Sequence, residues 1–191
     1  MCVPGCGVFQ KMTDAGKEAE TVYLSLGSNL GDRAAHLSSA IGQLSAVGRV
    51  TRVSSLYETQ PVSEIEQPWF LNCAAILDTE HAPRDLLRSV LAIEAGMGRL
   101  RFQEKGPRKI DIDILLFGNR VIEETGLQIP HPTMHQRRFV LEPLAEIAPQ
   151  VRHPVLGKTA VELLSVVGTS HAVRRLQDAG ILWREKPEVL E

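Results

Sequence analysis

The stretch Gly106-Pro107-Arg108-Lys109-Ile110-Asp111-Ile112-Asp113-Ile114-Leu115-Leu116 carries the residues best suited to chemistry. Alternating apolar and acidic residues over Lys109 to Phe117 predict a β-strand, whose side chains alternate between faces. Ile110, Ile112, Ile114 and Leu116 are expected on one face, toward a core beneath helices. Asp111 and Asp113 are expected on the other, their Cα atoms about 7 Å apart. Neighbouring carboxylates repel unless something positive lies between them. Mg²⁺ meets that need, since it takes one or two carboxylates and completes its shell with water and phosphate oxygens. The competing reading is an edge strand with a solvated acidic face.

The charge around this strand favours phosphate. From Arg99 to Lys109, five cations (Arg99, Arg101, Lys105, Arg108, Lys109) accompany one anion, Glu104; the segment is net +4 and the remainder −6. A cationic loop leading into two carboxylates suits a polyphosphate, with arginines on the oxygens and metal bridging them. A solvated charged loop is the ordinary alternative. Two nucleotide signatures are missing, the Gly-x-x-x-x-Gly-Lys-Ser/Thr loop and Gly-x-Gly-x-x-Gly; Gly27-Ser28-Asn29-Leu30-Gly31 has neither the lysine nor the spacing. His131 and His135 stand four apart, but Pro132 argues against a helix between them and no glutamate completes a zinc motif. His131 alone, beside Pro130, is a candidate phosphate donor.

A second set of residues suits a flat heterocycle. Period 2 places Phe70, Asn72, Ala74 and Ile76 on one strand face. A buried amide there must find partners, and asparagine offers both donor and acceptor. Phe70 and Phe139 can supply stacking faces or simply fill a core.

The elements that position these groups are legible from periodicity. Val22 to Leu26 reads as a strand, and a turn cluster then caps a helix with Ala34, Leu37, Ile41 and Leu44 on one face. Val50 to Thr59 and Trp69 to Thr79 read as strands separated by a loop. Pro83 opens a helix with Leu86, Val90, Ile93 and Met97 as its stripe, ending near Gly96 and Gly98. Gly118-Asn119 gives a turn after the Asp111 strand. Phe139 to Ile147 and Thr159 to Val167 read as helices, the second with the capping box Thr159-x-x-Glu162. The order is that of an α+β ferredoxin-like βαββαβ sandwich, a mainly antiparallel sheet with helices on one face plus extra C-terminal helices.

The 191 residues, 43% hydrophobic and 23% charged, fit one domain with tails. We expect a disordered arm at 1–20 without signal-peptide character, a domain at 21–168 and a tail at 169–191, with a short strand at Ile181-Leu182-Trp183. No window approaches 18 apolar residues, so no membrane span is expected. A net charge of −2 argues against a general nucleic-acid binder. Cys2, Cys6 and Cys73 make no disulfide framework, which suits a reducing, cytoplasmic setting.

Taken together the chain resembles the 6-hydroxymethyl-7,8-dihydropterin pyrophosphokinases of folate synthesis, over roughly residues 22–166. The resemblance rests on Leu26-Gly27-Ser28-Asn29-Leu30-Gly31, Ser54-Ser55-Leu56-Tyr57-Glu58-Thr59, Phe70-Leu71-Asn72, Ile93-Glu94 and Gly98-Arg99. It continues through Gly106-Pro107-Arg108-x-x-Asp111-x-Asp113, Ile129-Pro130-His131-Pro132 and Arg137-x-Phe139-Val140-Leu141. It implies transfer of the β,γ-diphosphate of ATP to the pterin's hydroxymethyl oxygen, releasing AMP, by a monomer. It implies Asp111 and Asp113 as ligands of two Mg²⁺ ions, with Arg99 and Arg108 neutralising phosphate. Arg101, His131 and Arg137 would assist, and Glu94 and Ile114 would contact ATP. Phe70 and Phe139 would sandwich the pterin, Asn72 would read its polar edge, and Thr59 to Val62, Gln60 included, would line the pocket through backbone groups. Lys105 and Glu104 depart from the family pattern before Gly106, and Leu91 stands where a polar adenine-side residue is common. Two other readings of the same residues are a nucleic-acid module using the basic loop, for which only Phe102 is interleaved, and a phosphohydrolase using the carboxylates and His131.

Overall fold

The computed structural model describes residues 18–62, 66–99, 106–169 and 171–176. Its first strand, β1 (Glu20–Ser28), leads through Asp32 into α1 (Arg33–Leu44). The Asp32 carboxylate accepts from Ala35 N at 3.0 Å, satisfying one of the donors that a helix start leaves without an internal partner. Then follow β2 (Arg49–Val53), β3 (Tyr57–Thr59), β4 (Phe70–Thr79), α2 (Pro83–Gly96) and β5 (Asp111–Phe117). A small hairpin of β6 (Ile122–Glu124) and β7 (Leu127–Ile129) precedes a 3₁₀ turn at Met134–Gln136, and α3 (Arg138–Ile147), α4 (Ala160–Val166) and β8 (Val173–Arg175) close the described chain.

The main sheet runs β5-β1-β4-β3-β8, with β2 also on β4, and its pairings are antiparallel. Taking β2 and β3 as one interrupted strand, this is the ferredoxin-like βαββαβ sandwich. Two buried clusters show how the sheet is covered. Val22, Leu24 and Leu26 of β1, Cys73, Ala75 and Leu77 of β4, and Ile112 and Ile114 of β5 meet Leu37 and Ile41 of α1 and Leu86 and Val90 of α2. On the other face Ala74, Ile76, Leu115 and Leu116 meet Val140, Leu144 and Ile147 of α3 and Ala160 of α4. Each fully buried aliphatic side chain contributes roughly 1.5–3 kcal/mol, so both layers hold the sheet rigid. The C-terminal helices therefore take the face opposite α1 and α2. The capping box at Thr159 and Glu162 is formed as expected.

Four features differ from the sequence expectations. The strand expected at Val50–Thr59 is broken at residues 54–56. Ser54 Oγ accepts from Ala74 N at 2.9 Å, and Ser55 N donates to Glu146 of α3 at 3.1 Å; a hydroxyl and a carboxylate have taken over ladder positions. Leu116 does not share a face with Ile114. The β1–β5 register jumps between Tyr23/Leu116 and Leu24/Ile114, so a bulge at Leu115 turns both Leu115 and Leu116 toward α3. The β6–β7 hairpin has no counterpart in the expected elements, although Thr125-Gly126 makes its two-residue turn with Gly126 at φ 78°. Finally, β8 pairs with β3 within the segment expected to be tail, whereas Ile181-Leu182-Trp183 lies outside the described residues.

Candidate active site

Register carries the key side chains to one place. Asp111 lies opposite Gly27 and Asp113 opposite Ser25. Gly27 in turn lies opposite Asn72, Asn72 opposite Tyr57, and Phe70 opposite Thr59. Directly paired residues share a face, so Asp111, Gly27 and Asn72 form a row across three strands, with Asp113 and Ser25 beside it. This is the sheet face that α3 covers, at the end of the sheet next to the first turn of that helix. Gly27 is demanded by the crowding. A Cβ there would stand 2.5 Å from Asn72 Oδ1, inside any tolerable contact.

Two chambers open from the carboxylates. The first, of about 470 Å³, is lined by Ser25, Gly27, Thr59, Gln60, Pro61, Val62, Phe70, Asn72, Arg108, Arg137 and Phe139, together with Asp111 and Asp113. The second is larger and more open, between α2, β5 and the β6–β7 hairpin; Glu94, Arg99, Ile114 and His131 line it, again with Asp111 and Asp113. The acidic pair is thus the wall common to a narrow aromatic chamber and a wide one.

Electrostatics at that wall are unequal. Asp111 is gripped on both oxygens, by Arg99 at 2.7 Å and Arg108 at 2.6 Å. Asp113 forms no ion pair among the described residues. Burial, and then the neighbouring Asp111 charge, push its carboxyl up to about 6. Arg137 and Arg108 pull the other way without cancelling this rise, so the less compensated carboxylate favours an added positive charge beside it. Two carboxylates facing both chambers form a donor set that suits an oxygen-seeking ion sharing its shell with water and substrate.

The arginines are themselves well placed. Arg99 pairs with Glu94 as well as with Asp111, and Glu94 Oε1 accepts from Ile112 N at 2.7 Å. Glu94 is almost fully buried, and burial raises its pKa against the opposing pull of that bond and of Arg99. It therefore fixes Arg99 to the strand as well as lining the second chamber. Arg108 lies with its guanidinium 5.1 Å from the Phe70 ring centre, and its buried Nε has no hydrogen-bond partner among the described residues. Asn29 fastens the approach to the strand: it donates to Arg108 O at 3.0 Å and accepts from Arg108 N at 2.7 Å. The same side chain holds Gln67 and Pro68 of the β3–β4 loop.

His131 lines the second chamber as a neutral ring. Burial and then Arg137 lower its pKa to about 4. Its Nδ1 accepts from Thr133 N at 3.3 Å, which leaves the proton on Nε2. His135 turns elsewhere, edge-on to His153 at 5.9 Å, so the two histidines at i and i+4 make no metal pair. In the first chamber Asn72 Nδ2 donates to Thr59 Oγ1 at 2.6 Å, holding the amide with its edge along the cavity.

Of the residues singled out in the sequence, Thr59, Gln60, Val62, Phe70, Asn72 and Phe139 come together in the first chamber, and Glu94, Arg99, Ile114 and His131 in the second. Arg108 also lines the first chamber, and Asp111 and Asp113 stand between the two. Arg137, grouped with ATP contacts in the sequence, lines the first chamber, 5.7 Å from the Phe139 ring centre. Arg101, with the rest of residues 100–105 of the basic segment, lies outside the described residues. Nothing in the sequence singles out Ser25 or the hairpin wall from Thr125 to Gln128, and Asn29 enters only as part of the Leu26–Gly31 motif, without a role. For Gly27 a signal is present, a glycine in a strand pattern that ends at a turn.

A family model described as 7,8-dihydro-6-hydroxymethylpterin-pyrophosphokinase (HPPK) matches residues 23–149. The chain belongs to this family. It is 44% identical over 150 residues to the 2-amino-4-hydroxy-6-hydroxymethyldihydropteridine pyrophosphokinase of Methylorubrum extorquens, covering 78% of this chain and 94% of that protein. It is 48% identical over 131 residues to the Bacillus subtilis protein of the same name, covering 68% and 78%. A crystal structure of Plasmodium falciparum HPPK-DHPS superposes with a TM-score of 0.66 at 18% identity, over 80% of this chain and 44% of that longer one; that likeness speaks for the fold alone. The HPPK match contains every residue lining both chambers and ends before α4 and β8.

Proposed function

We propose that this chain transfers the β,γ-diphosphate of ATP to the hydroxymethyl group of 6-hydroxymethyl-7,8-dihydropterin, a pyrophosphokinase step of folate synthesis. The observation that carries this reading is the shared wall. A narrow chamber with two aromatic rings and an amide fits a flat, hydrogen-bonding heterocycle. A wide chamber with arginine, a neutral histidine and aliphatic Leu87, Leu91, Ile112 and Ile114 fits a nucleotide. Both meet at Asp111 and Asp113, where the attacking oxygen and the triphosphate must meet.

In this reading the hydroxyl oxygen of the pterin forms a bond to the β-phosphorus while the bond from that phosphorus to the α,β-bridging oxygen breaks. AMP leaves with the bridging oxygen, and the hydroxyl proton passes to solvent. Little covalent work falls to the protein, so positioning and charge neutralisation dominate. Arg99 and Arg108, now held on Asp111, turn to phosphate oxygens, and His131 donates from Nε2. Arg101 joins them from the basic loop, and Arg137 steadies Phe139 and the carboxylate wall. Phe70 and Phe139 hold the ring between them, and Thr59, Gln60 and Val62 offer backbone groups to its edge. Glu94 and Ile114 shape the nucleotide side; with Leu91 apolar, backbone groups select adenine. Asp111 and Asp113 are the residues that would hold two Mg²⁺ ions, and the undercompensated charge at Asp113 supports that fit. Bound there, the metal supplies charge neutralisation and lowers the hydroxyl's pKa.

A cytoplasmic monomer that uses neither nucleic acid nor membrane completes the proposal. The net charge of −2 supports the reading without nucleic acid, and buried Cys73, a free thiol, supports a reducing, cytoplasmic setting.

Product analysis tests the reaction. With ATP, Mg²⁺ and the pterin alcohol, AMP is the expected co-product, and ATP is not consumed without the pterin. ADP would mean a simple kinase, and pterin-independent consumption a phosphohydrolase. The pterin chamber has its own test. Asn72→Leu removes the polar edge and leaves Thr59 Oγ1 without its donor, so pterin affinity falls at least about a hundredfold, consistent with a site left with an unpaired buried polar group. Calorimetry is expected to show ATP-analogue affinity within about threefold of the parent, and equal losses for both ligands would refute the assignment.

A further inference from the structure

Beyond the residues of the family match, β8 reaches the β3, β4 and α3 sides of the aromatic chamber. It pairs with β3, Val173 opposite Thr59 and Arg175 opposite Tyr57. The ladder continues past both ends, with Gln60 N donating to Ala172 O at 3.0 Å and Leu176 N to Leu56 O at 2.9 Å. The first of these bonds fixes the backbone at Gln60, where the chamber's rim begins. Arg174 covers the ring of Trp69, its guanidinium carbon 5.1 Å from the ring centre. Trp69 immediately precedes Phe70, and Arg33 of α1 holds the Trp69 carbonyl from below at 2.8 Å.

Arg175 reaches the third wall. Its Nη2 donates to Glu146 Oε1 at 2.9 Å and to Ser55 Oγ at 2.8 Å. Glu146, on α3, also accepts from Ser55 Oγ and Tyr57 OH, each at 2.8 Å. Burial and the Glu146 contact raise the Tyr57 phenol far above its ordinary range, so it remains a donor to that carboxylate at any working pH. Since α3 also carries Phe139, one short strand ties together the end of β3, the start of β4 and α3.

We propose that β8 is a strap that sets the spacing of the aromatic chamber, with Arg174 and Arg175 as positioning residues for the heterocyclic substrate. This rests on reading that chamber as the pterin site. Among the described residues, the strap's hydrogen bonds, strand pairings and ring contact reach none that line the second chamber, so its influence is one-sided. Arg175 is well exposed, and exposed ion pairs add little to folding; its removal leaves the fold intact while freeing α3 to shift against β3. Small displacements of stacking partners are felt in binding because reacting groups must be held closely.

The test uses the full chain with two substitutions. Arg175→Ala cuts the tie to α3. Arg174→Pro removes the N–H of the pair opposite Glu58, which strand alternation makes a hydrogen-bonded one, and uncovers Trp69 as well. Arg175→Ala is expected to raise both the Kd for 6-hydroxymethyl-7,8-dihydropterin, measured beside a non-hydrolysable ATP analogue, and the KM, measured with ATP at saturating Mg²⁺, about tenfold. Its kcat and the analogue's Kd stay within about twofold. Arg174→Pro gives a larger pterin effect; if that variant does not fold, Arg175→Ala alone decides. Unchanged pterin binding in Arg175→Ala, or equal weakening of both ligands, overturns the strap. A parent chain that binds the analogue and no pterin removes the functional reading and the strap with it, a result distinct from either of those.

Discussion

Asp111→Ala or Asp113→Ala lowers turnover by at least about a thousandfold, roughly 4 kcal/mol of barrier. Both carboxylates face the two chambers at once, so each loss strikes the point where the triphosphate and the attacking oxygen meet. The two variants separate in KM. Asp111 occupies Arg99 at 2.7 Å and Arg108 at 2.6 Å; its removal frees Arg108 for phosphate and leaves Arg99 held by Glu94 alone. Asp111→Ala therefore loses kcat while its KM for ATP falls or stays level, the pattern of an interaction that matters in the transition state alone. Asp113→Ala frees no arginine. Steady-state kinetics at saturating Mg²⁺ check this, and near-normal kcat in either variant would remove the metal assignment.

The metal-free protein becomes more stable when Asp113 is made neutral. Its carboxyl is raised to about 6 in the folded chain, by burial first and by Asp111 second, against about 3.9 for a free side chain. The folded state therefore binds this proton more tightly than the unfolded state does. The resulting stability is complete below about pH 4 and is lost as pH rises through about 6. The full loss is at most about 3 kcal/mol. Asp113→Asn has no such titration. In EDTA at pH 8 its melting temperature is expected to exceed the parent's by several degrees, at roughly 2–4 °C per kcal/mol for a chain of this size. The gap closes toward pH 4. Added Mg²⁺ raises the melting point of the parent more than that of the variant. A melting point of Asp113→Asn at or below the parent's at pH 8 would contradict burial and the Asp111 charge as the cause of the raised carboxyl.

What the sequence makes legible depends on what each feature needs. The acidic pair is legible because strand alternation is local; Asp111 and Asp113 need only each other's spacing. Phe70 and Asn72 are legible for the same reason. The bulge at Leu115 is not, because it is fixed by the register with β1 and not by anything in Ile114-Leu115-Leu116, which is apolar throughout. The break at Ser54–Leu56 is likewise hidden: Ser54 bonds to Ala74 and Ser55 to Glu146, partners 20 and 91 residues away. Glu94 can be placed in the site only through family resemblance. Its grip on Ile112 N and Arg99 depends on how α2 lies along β5, which periodicity does not give. β8 escapes because three residues, Val173-Arg174-Arg175, carry no strand pattern of their own and gain their order from β3 and Glu146.

Among the described residues β5 is the outermost strand on its side of the sheet, and such margins commonly recruit strands from other molecules. In this fold two of its outer groups are occupied: Ile112 N by Glu94 at 2.7 Å and Leu115 O by the His131 amide at 2.9 Å. A neighbouring chain seeking to extend the sheet meets a filled ladder at those positions. The contacts that steady the reaction's acidic strand thus also guard it against self-association and aggregation.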